Sequence, residues 1–248
     1  MSLALHFTSH CRSLRTWLVS VPQRRMMGTA TVEGSAGLIS KKPLILLEVD
    51  GVIHDRDDYK ISWKDKTWVR RPNCWIESRI VYSPTVIDAI NRWSEVADIR
   101  WLTYWDIRAQ TDLSPAVGLK HFELARPKGS DRRVDADNDD FKRRIPKEVT
   151  ARACGRESDP DRLIIWIDGD LSEWYYHDNK RNVEKEDPDA IEAEKDIYNR
   201  PNTVLLSPYE GLSFYQVAFV DEILSNPSLS KDKCVLYPNQ SNTRALWT

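Results

Sequence analysis

The sequence predicts an α/β domain built on a parallel central sheet, and three observations carry that prediction. Pro43–Val49 is a short, nearly unbroken apolar run, with Glu48 and Asp50 at its carboxyl end and Gly51 to turn the chain. Leu163–Ile167 is a second such run, leading into Asp168-Gly169-Asp170. Between them, Val86, Ile87, Ile90, Trp93 and Val96 recur at helical spacing before a further apolar stretch, Asp98–Tyr104. Short apolar runs bounded by turn residues predict buried strands, and their alternation with helices predicts βαβ units. In such sheets ligands bind beyond the carboxyl ends of the strands, where Glu48, Asp50 and Asp168 fall.

In chain order, residues 1–41 are expected to be an extension, 42–225 the domain and 226–248 a C-terminal tail. The first 39 residues carry Arg12, Arg15, Arg24 and Arg25 and no acidic residue before Glu33. That composition resembles a mitochondrial transit peptide; the alternative is an N-terminal arm on a cytoplasmic protein. After the first strand, Tyr59–Trp63, Thr67–Arg70 and Arg79–Tyr82 are β-like pieces punctuated by Trp63, Trp68 and Trp75, which predicts a β-hairpin flap. Ser83-Pro84 opens the first helix, with Ser as N-cap and Pro at its first position. Thr103 lies near the carboxyl end of the Asp98–Tyr104 strand. Asp106–Leu113 predicts a short helix and Leu119–Leu124 a weaker strand.

Residues 126–140 are polar and mixed in charge. Asp135–Asp140 lacks the glycine of a calcium loop, so a solvated loop is expected there. A helix is predicted over Phe141–Cys154 and a charged, solvated one over Glu184–Asn199. Thr203–Ser207 predicts the fifth strand and Phe214–Leu224 the helix that closes the sheet. Residues 226–248 show no core pattern.

The whole-chain balance leaves several classes without a signal, and none of them is excluded by charge alone. With 36 basic and 38 acidic residues, the formal charge of −2 gives no global field for nucleic acid or an anionic membrane. No run approaches the ~18 apolar residues of a membrane span. Cys11, Cys74, Cys154 and Cys234 are far apart, which points away from a zinc site, a redox pair or a disulfide framework.

Leu-Leu-Glu-Val-Asp-Gly-Val-Ile, residues 46–53, resembles the first motif of the haloacid dehalogenase (HAD) superfamily. Trp-Leu-Thr-Tyr-Trp (101–105) and Leu-Leu-Ser-Pro…Gly-Leu-Ser (205–213) resemble its small, nearly capless members of the RNA-repair-associated type. The resemblance implies a HAD-like Rossmannoid three-layer αβα sandwich with a parallel central sheet and a small β-hairpin flap. It implies a magnesium-dependent phosphohydrolase, with Glu48 in the position of the family's nucleophilic Asp and Asp50 as general acid/base. Thr103 matches the second motif and would bind phosphate oxygens. The third motif is a lysine at a helix start; Lys142 fits best, with Lys128 and Lys120 as alternatives. Asp168 matches the metal ligand of the fourth motif, where Gly169 replaces the common second Asp and Asp170 is a substitute or supporting residue. Magnesium would be held by Glu48, Asp168 and the backbone carbonyl of Asp50.

Glu48 sets the main question. Its extra methylene displaces the carboxylate by up to about 1.5 Å, and misplacement by ~1 Å can cost roughly 100-fold in rate. Metal binding is expected to survive that change more readily than hydrolysis. The alternative function is therefore a catalytically impaired protein that binds a phosphorylated ligand or protein partner. With only a flap over the site, the phosphorylated partner could be a small molecule or a macromolecule.

Overall fold

The computed structural model describes residues 42–54, 63–72, 79–126, 146–169, 171, 188–208 and 211–238. All of these belong to one compact unit, Ile39–Thr248. The predicted N-terminal extension, residues 59–62 of the first β-like piece, Trp75, Lys128, Lys142 and Asp170 lie outside the described residues.

The central sheet is parallel throughout and has six strands: β1 (Leu44–Leu47), β4 (Asp98–Trp101), β5 (Glu123–Leu124), β6 (Ile164–Ile167), β7 (Thr203–Ser207) and β8 (Cys234–Pro238). Their spatial order is β5-β4-β1-β6-β7-β8, so β1 and β6 are central neighbours. Every side chain of β1 and β6 is buried, as a strand covered on both faces requires. The predicted hairpin forms from β2 (Thr67–Arg70) and β3 (Arg79–Tyr82), which pair antiparallel as a separate sheet. Trp68 faces outward at 53% exposure, with the Arg79 guanidinium 4.5 Å over its ring.

Helices cover both faces of the sheet. On one side Ile45, Leu47, Ile165, Ile167 and Leu206 pack with α1 (Pro84–Val96) and α5 (Phe214–Ser225), beside a π turn (Ala109–Leu113) and α2 (Ser114–Val117). On the other, Leu44, Leu46, Ile164 and Trp166 pack with α3 (Lys147–Glu157) and α4 (Pro188–Tyr198). The chain is thus a Rossmann-like α/β protein. Ser83 caps α1 as its sequence predicts, its Oγ accepting the Val86 N–H at 3.3 Å.

Four expectations need correction. The predicted tail contains β8 after a 3-10 turn (Pro227–Ser230). Its run is too short to signal a core, yet parallel pairing with β7 sets Val235 against one core cluster and Cys234 and Leu236 against the other. The helix expected over Phe141–Cys154 does not run through Pro146, which is extended at φ −53° and ψ 142°, and α3 starts at Lys147; residues 141–145 lie outside the described residues. The charged helix α4 is not merely solvated: Ala193 and Ile197, one turn apart, are buried. The strand expected over Leu119–Leu124 shortens to Glu123–Leu124.

The amino end of the sheet is tied off by arginines. Arg162 donates to the Lys42 carbonyl at 2.7 Å and to Asp98 Oδ2 at 3.1 Å, and Arg200 donates to the carbonyls of Asp159 and Arg162. Glu48, Asp50 and Asp168 follow the carboxyl ends of β1 and β6. Among the described residues, no helix is long and apolar enough to cross a membrane.

Candidate active site at the carboxyl end of the sheet

The sheet register brings the two predicted carboxylates together. Leu47 pairs with Ile167, so Glu48 and Asp168 follow at the same level on adjacent strands. The ladder continues through them: Glu48 N–H donates to the Ile167 carbonyl and Asp168 N–H to the Leu206 carbonyl, each at 3.0 Å. Period-two alternation puts Glu48 on the face of Leu44 and Leu46, and Asp168 on that of Ile164 and Trp166. That face carries α3, whose first residue is Lys147.

Lys147 bridges the pair. Its Nζ lies 2.8 Å from Asp168 Oδ2 and also pairs with Glu48 Oε2. Glu48 is 1% exposed, Asp168 0% and Lys147 3%. A cation at a helix N-terminus opposes the helix dipole; two carboxylates outweigh that cost here. Burial alone would lower the lysine's pKa, but the charges of Asp168 and Glu48 prevail and raise it well above its ordinary value. The ammonium also stands 4.7 Å from the centre of the Tyr104 ring. Burial pushes the Tyr104 phenol up, against the opposing pull of Lys147.

Thr103 comes from β4, the other neighbour of β1. Leu102 N–H donates to the Leu47 carbonyl at 2.9 Å, which sets Thr103 just beyond the strand end. Its hydroxyl donates to Glu48 Oε1 and accepts the Trp105 N–H at 3.1 Å. Glu48 Oε1 also accepts the N–H of Val49 at 2.8 Å and of Asp50 at 3.3 Å.

Asp50 points its carboxylate elsewhere. Its Oδ2 accepts the Trp105 indole N–H at 3.1 Å, and the Arg71 guanidinium lies 4.2 Å over the Trp105 ring. Arg71 follows β2 of the flap. His54, at the end of the turn after β1, accepts the Val81 N–H of β3 at Nδ1, 3.3 Å away. Buried Trp63 donates to the Leu212 carbonyl at 2.8 Å. The flap is thereby tied to the loops that carry the site.

Gly169 sits where two loops approach closely. A Cβ built there would lie 3.3 Å from both the Asp50 carbonyl oxygen and the Gly51 Cα. The loops after β1 and β6 therefore approach closely, and a side chain at residue 169 would press on main chain.

Glu48, Thr103 and Asp168, three of the predicted site residues, are brought together by Thr103's bond to Glu48 and the Lys147 bridge. Asp50 joins them through its N–H, its carboxylate being held by Trp105. Among the described residues the lysine at Glu48 and Asp168 is Lys147, whereas Lys120 is exposed and paired with Glu95. Lys147 was legible in principle: a proline inside a helical pattern restarts the helix, which makes the next residue its first. Trp105, Arg71 and His54 carried no comparable signal. Among the described residues, no group of three or more His, Cys, Asp or Glu side chains converges as a metal cluster. Glu48 and Asp168 are nonetheless hard oxygen donors of the kind magnesium takes, and magnesium needs only one or two carboxylates besides water. Burial pushes the Cys154 thiol up and the Cys234 thiol to about 12, so neither supplies a thiolate nucleophile at neutral pH.

The fold and site define a Rossmann-like α/β protein with a buried carboxylate–lysine–carboxylate bridge at the carboxyl end of its central strands. Comparison of the chain with protein-family models, with curated proteins and with solved structures finds no match.

Proposed function

We propose that the chain is a magnesium-dependent phosphohydrolase of the HAD-like type, acting on a phosphate ester, with Glu48 in the nucleophile position. The observation that carries the proposal is the convergence of Glu48, Asp168, Thr103 and Lys147 in one pocket at the ends of three adjacent parallel strands.

The chemistry assigns each group a task. Thr103 and the main-chain N–H groups of Val49 and Asp50 would hold phosphate oxygens. Lys147, in the role first expected of Lys142, offsets the negative charge of Glu48 and Asp168. Glu48 would attack phosphorus, forming an acyl phosphate as the ester P–O bond breaks. Asp50, oriented by Trp105, would give its proton to the leaving oxygen and then take one from the water that cleaves the acyl phosphate. Glu48, Asp168 and the Asp50 carbonyl would hold magnesium, which neutralises charge developing on the phosphoryl oxygens when bound.

One observation favours a second reading, a HAD-like protein that binds a phosphorylated ligand or protein partner without turnover. The Glu48 carboxylate is 1% exposed, with both oxygens engaged, which holds a nucleophile back from substrate.

Phosphate release from a panel of phosphate esters decides between them, using wild type, Glu48→Asp and Asp50→Asn with magnesium and with chelator. The proposal expects release by wild type, its loss with chelator and a roughly 100-fold or greater loss in Asp50→Asn. An inert wild type beside an active Glu48→Asp establishes the second reading. Full activity in Asp50→Asn removes that residue from the mechanism.

A further inference from the structure

We propose that Glu48 is the resident anion of its own pocket. Its carboxylate fills a cradle of donors suited to a tetrahedral oxyanion, so the wild-type site is closed to free phosphate until that carboxylate moves. The choice of phosphate rests on the HAD-like reading; the closure rests on the hydrogen bonds of Glu48.

Three donors meet on one oxygen. The N–H groups of Val49 and Asp50 and the hydroxyl of Thr103 all reach Glu48 Oε1, and the Lys147 ammonium meets Oε2. A carboxylate offers about four lone-pair sites over its two oxygens. Crowding three donors onto one of them leaves the set better matched to an anion with more oxygens. Successive main-chain N–H groups aimed at one point form an anion-binding concavity, whatever anion fills it.

The occupant here belongs to the chain that builds the cradle. The two N–H groups are those of the residues directly after Glu48, so the carboxylate competes as a tethered ligand at high effective concentration. At 1% exposure it leaves no solvent-facing oxygen for an incoming group. An anion from solution must displace it. The site is therefore governed by the position of Glu48 before any question of chemistry.

The experiment is calorimetric titration of inorganic phosphate, without metal, into the full-length wild type, Glu48→Gln and Glu48→Ala. Thermal unfolding of each protein is followed as phosphate is added. Gln keeps the volume and an acceptor oxygen, so it leaves the cradle filled; Ala empties it. The expected result is phosphate binding by Glu48→Ala at least about tenfold tighter than by wild type or Glu48→Gln. Its melting temperature should rise with phosphate. Adding Thr103→Val to Glu48→Ala should weaken that binding. Wild type binding as tightly as Glu48→Ala overturns the proposal, as does a folded Glu48→Ala that binds no phosphate or binding indifferent to Thr103→Val. If Glu48→Ala does not fold, Glu48→Ser empties most of the cradle and is judged by the same outcomes.

These results separate from those of the hydrolase reading. Phosphate binding by Glu48→Ala, with no variant releasing phosphate from an ester, sustains the closure and removes the enzyme. Turnover by wild type, with no binding by Glu48→Ala, does the reverse.

Discussion

Lys147 Nζ and Asp168 Oδ2 lie 2.8 Å apart in a pocket where the lysine is 3% exposed and the aspartate 0%. Glu48 completes the bridge from the adjacent strand. Removing one partner of a buried ionic group leaves uncompensated charge, which commonly costs about 3–5 kcal/mol. Lys147→Met should therefore destabilise the protein by about that amount, measured by urea unfolding at neutral pH. A loss below about 1 kcal/mol would mean that the two carboxylates do not depend on the ammonium.

Trp105 joins the flap to Asp50. Its indole N–H donates to Asp50 Oδ2 at 3.1 Å while Arg71 stacks on its ring. Trp105→Phe keeps a ring for Arg71 and deletes only the donor. The expected loss of stability is about 1 kcal/mol. Where turnover is measurable, kcat should fall by roughly tenfold with little change in KM, because Asp50 loses its orientation while phosphate contacts remain. An unchanged kcat would deny Trp105 a positioning role.

Gly211 fixes how the flap meets the sheet. It has φ +86°, and a Cβ there would fall 2.5 Å from the Trp63 ring. Its N–H donates to the Gly51 carbonyl at 3.0 Å, so the turn also supports the loop that follows β1. Gly211→Ala should cost about 2–4 kcal/mol, combining a left-handed backbone with overpacking. Tryptophan fluorescence should shift as Trp63 is displaced. A native-like spectrum and stability would show that the turn can rearrange freely.

Asp65 supports the start of α1. Its carboxylate accepts the Ser83 hydroxyl at 2.8 Å and the Thr85 N–H at 3.0 Å. Burial works to raise its pKa, but the hydrogen bonds from Thr85 and Ser83 prevail and lower it. A depressed carboxylate stabilises the fold fully above the unfolded pKa, near 4, and loses that contribution as pH falls through the folded value. Wild type should exceed Asp65→Asn by about 0.5–1 kcal/mol at pH 6. The gap should close on acidification below about pH 4. A pH-independent gap would place the effect in hydrogen-bond geometry alone.

The central strands were legible because each is a short apolar run ended by turn residues, and β1 and β6 needed no long-range information to be recognised. The same local pattern placed Glu48, Thr103 and Asp168 at strand ends. β8 was not legible, since Val235 and Leu236 acquire their meaning only from pairing with β7. The partial burial of α4 was hidden by its charged residues; Ala193 and Ile197 are buried, and α3 packs against α4.

For the site, sequence alone determined which acidic and hydroxyl groups stand at the ends of β1, β4 and β6, because strand termini are written in local residue order. Only the tertiary structure decided that Lys147 joins Glu48 to Asp168, that Trp105 holds Asp50, and that Glu48 turns back on the N–H groups following it. The physical reason is that direction and partnership of a buried charge depend on what else is buried beside it. That neighbourhood is assembled from segments as far apart as residues 48, 103, 147 and 168, whose proximity comes from sheet register and from where α3 begins.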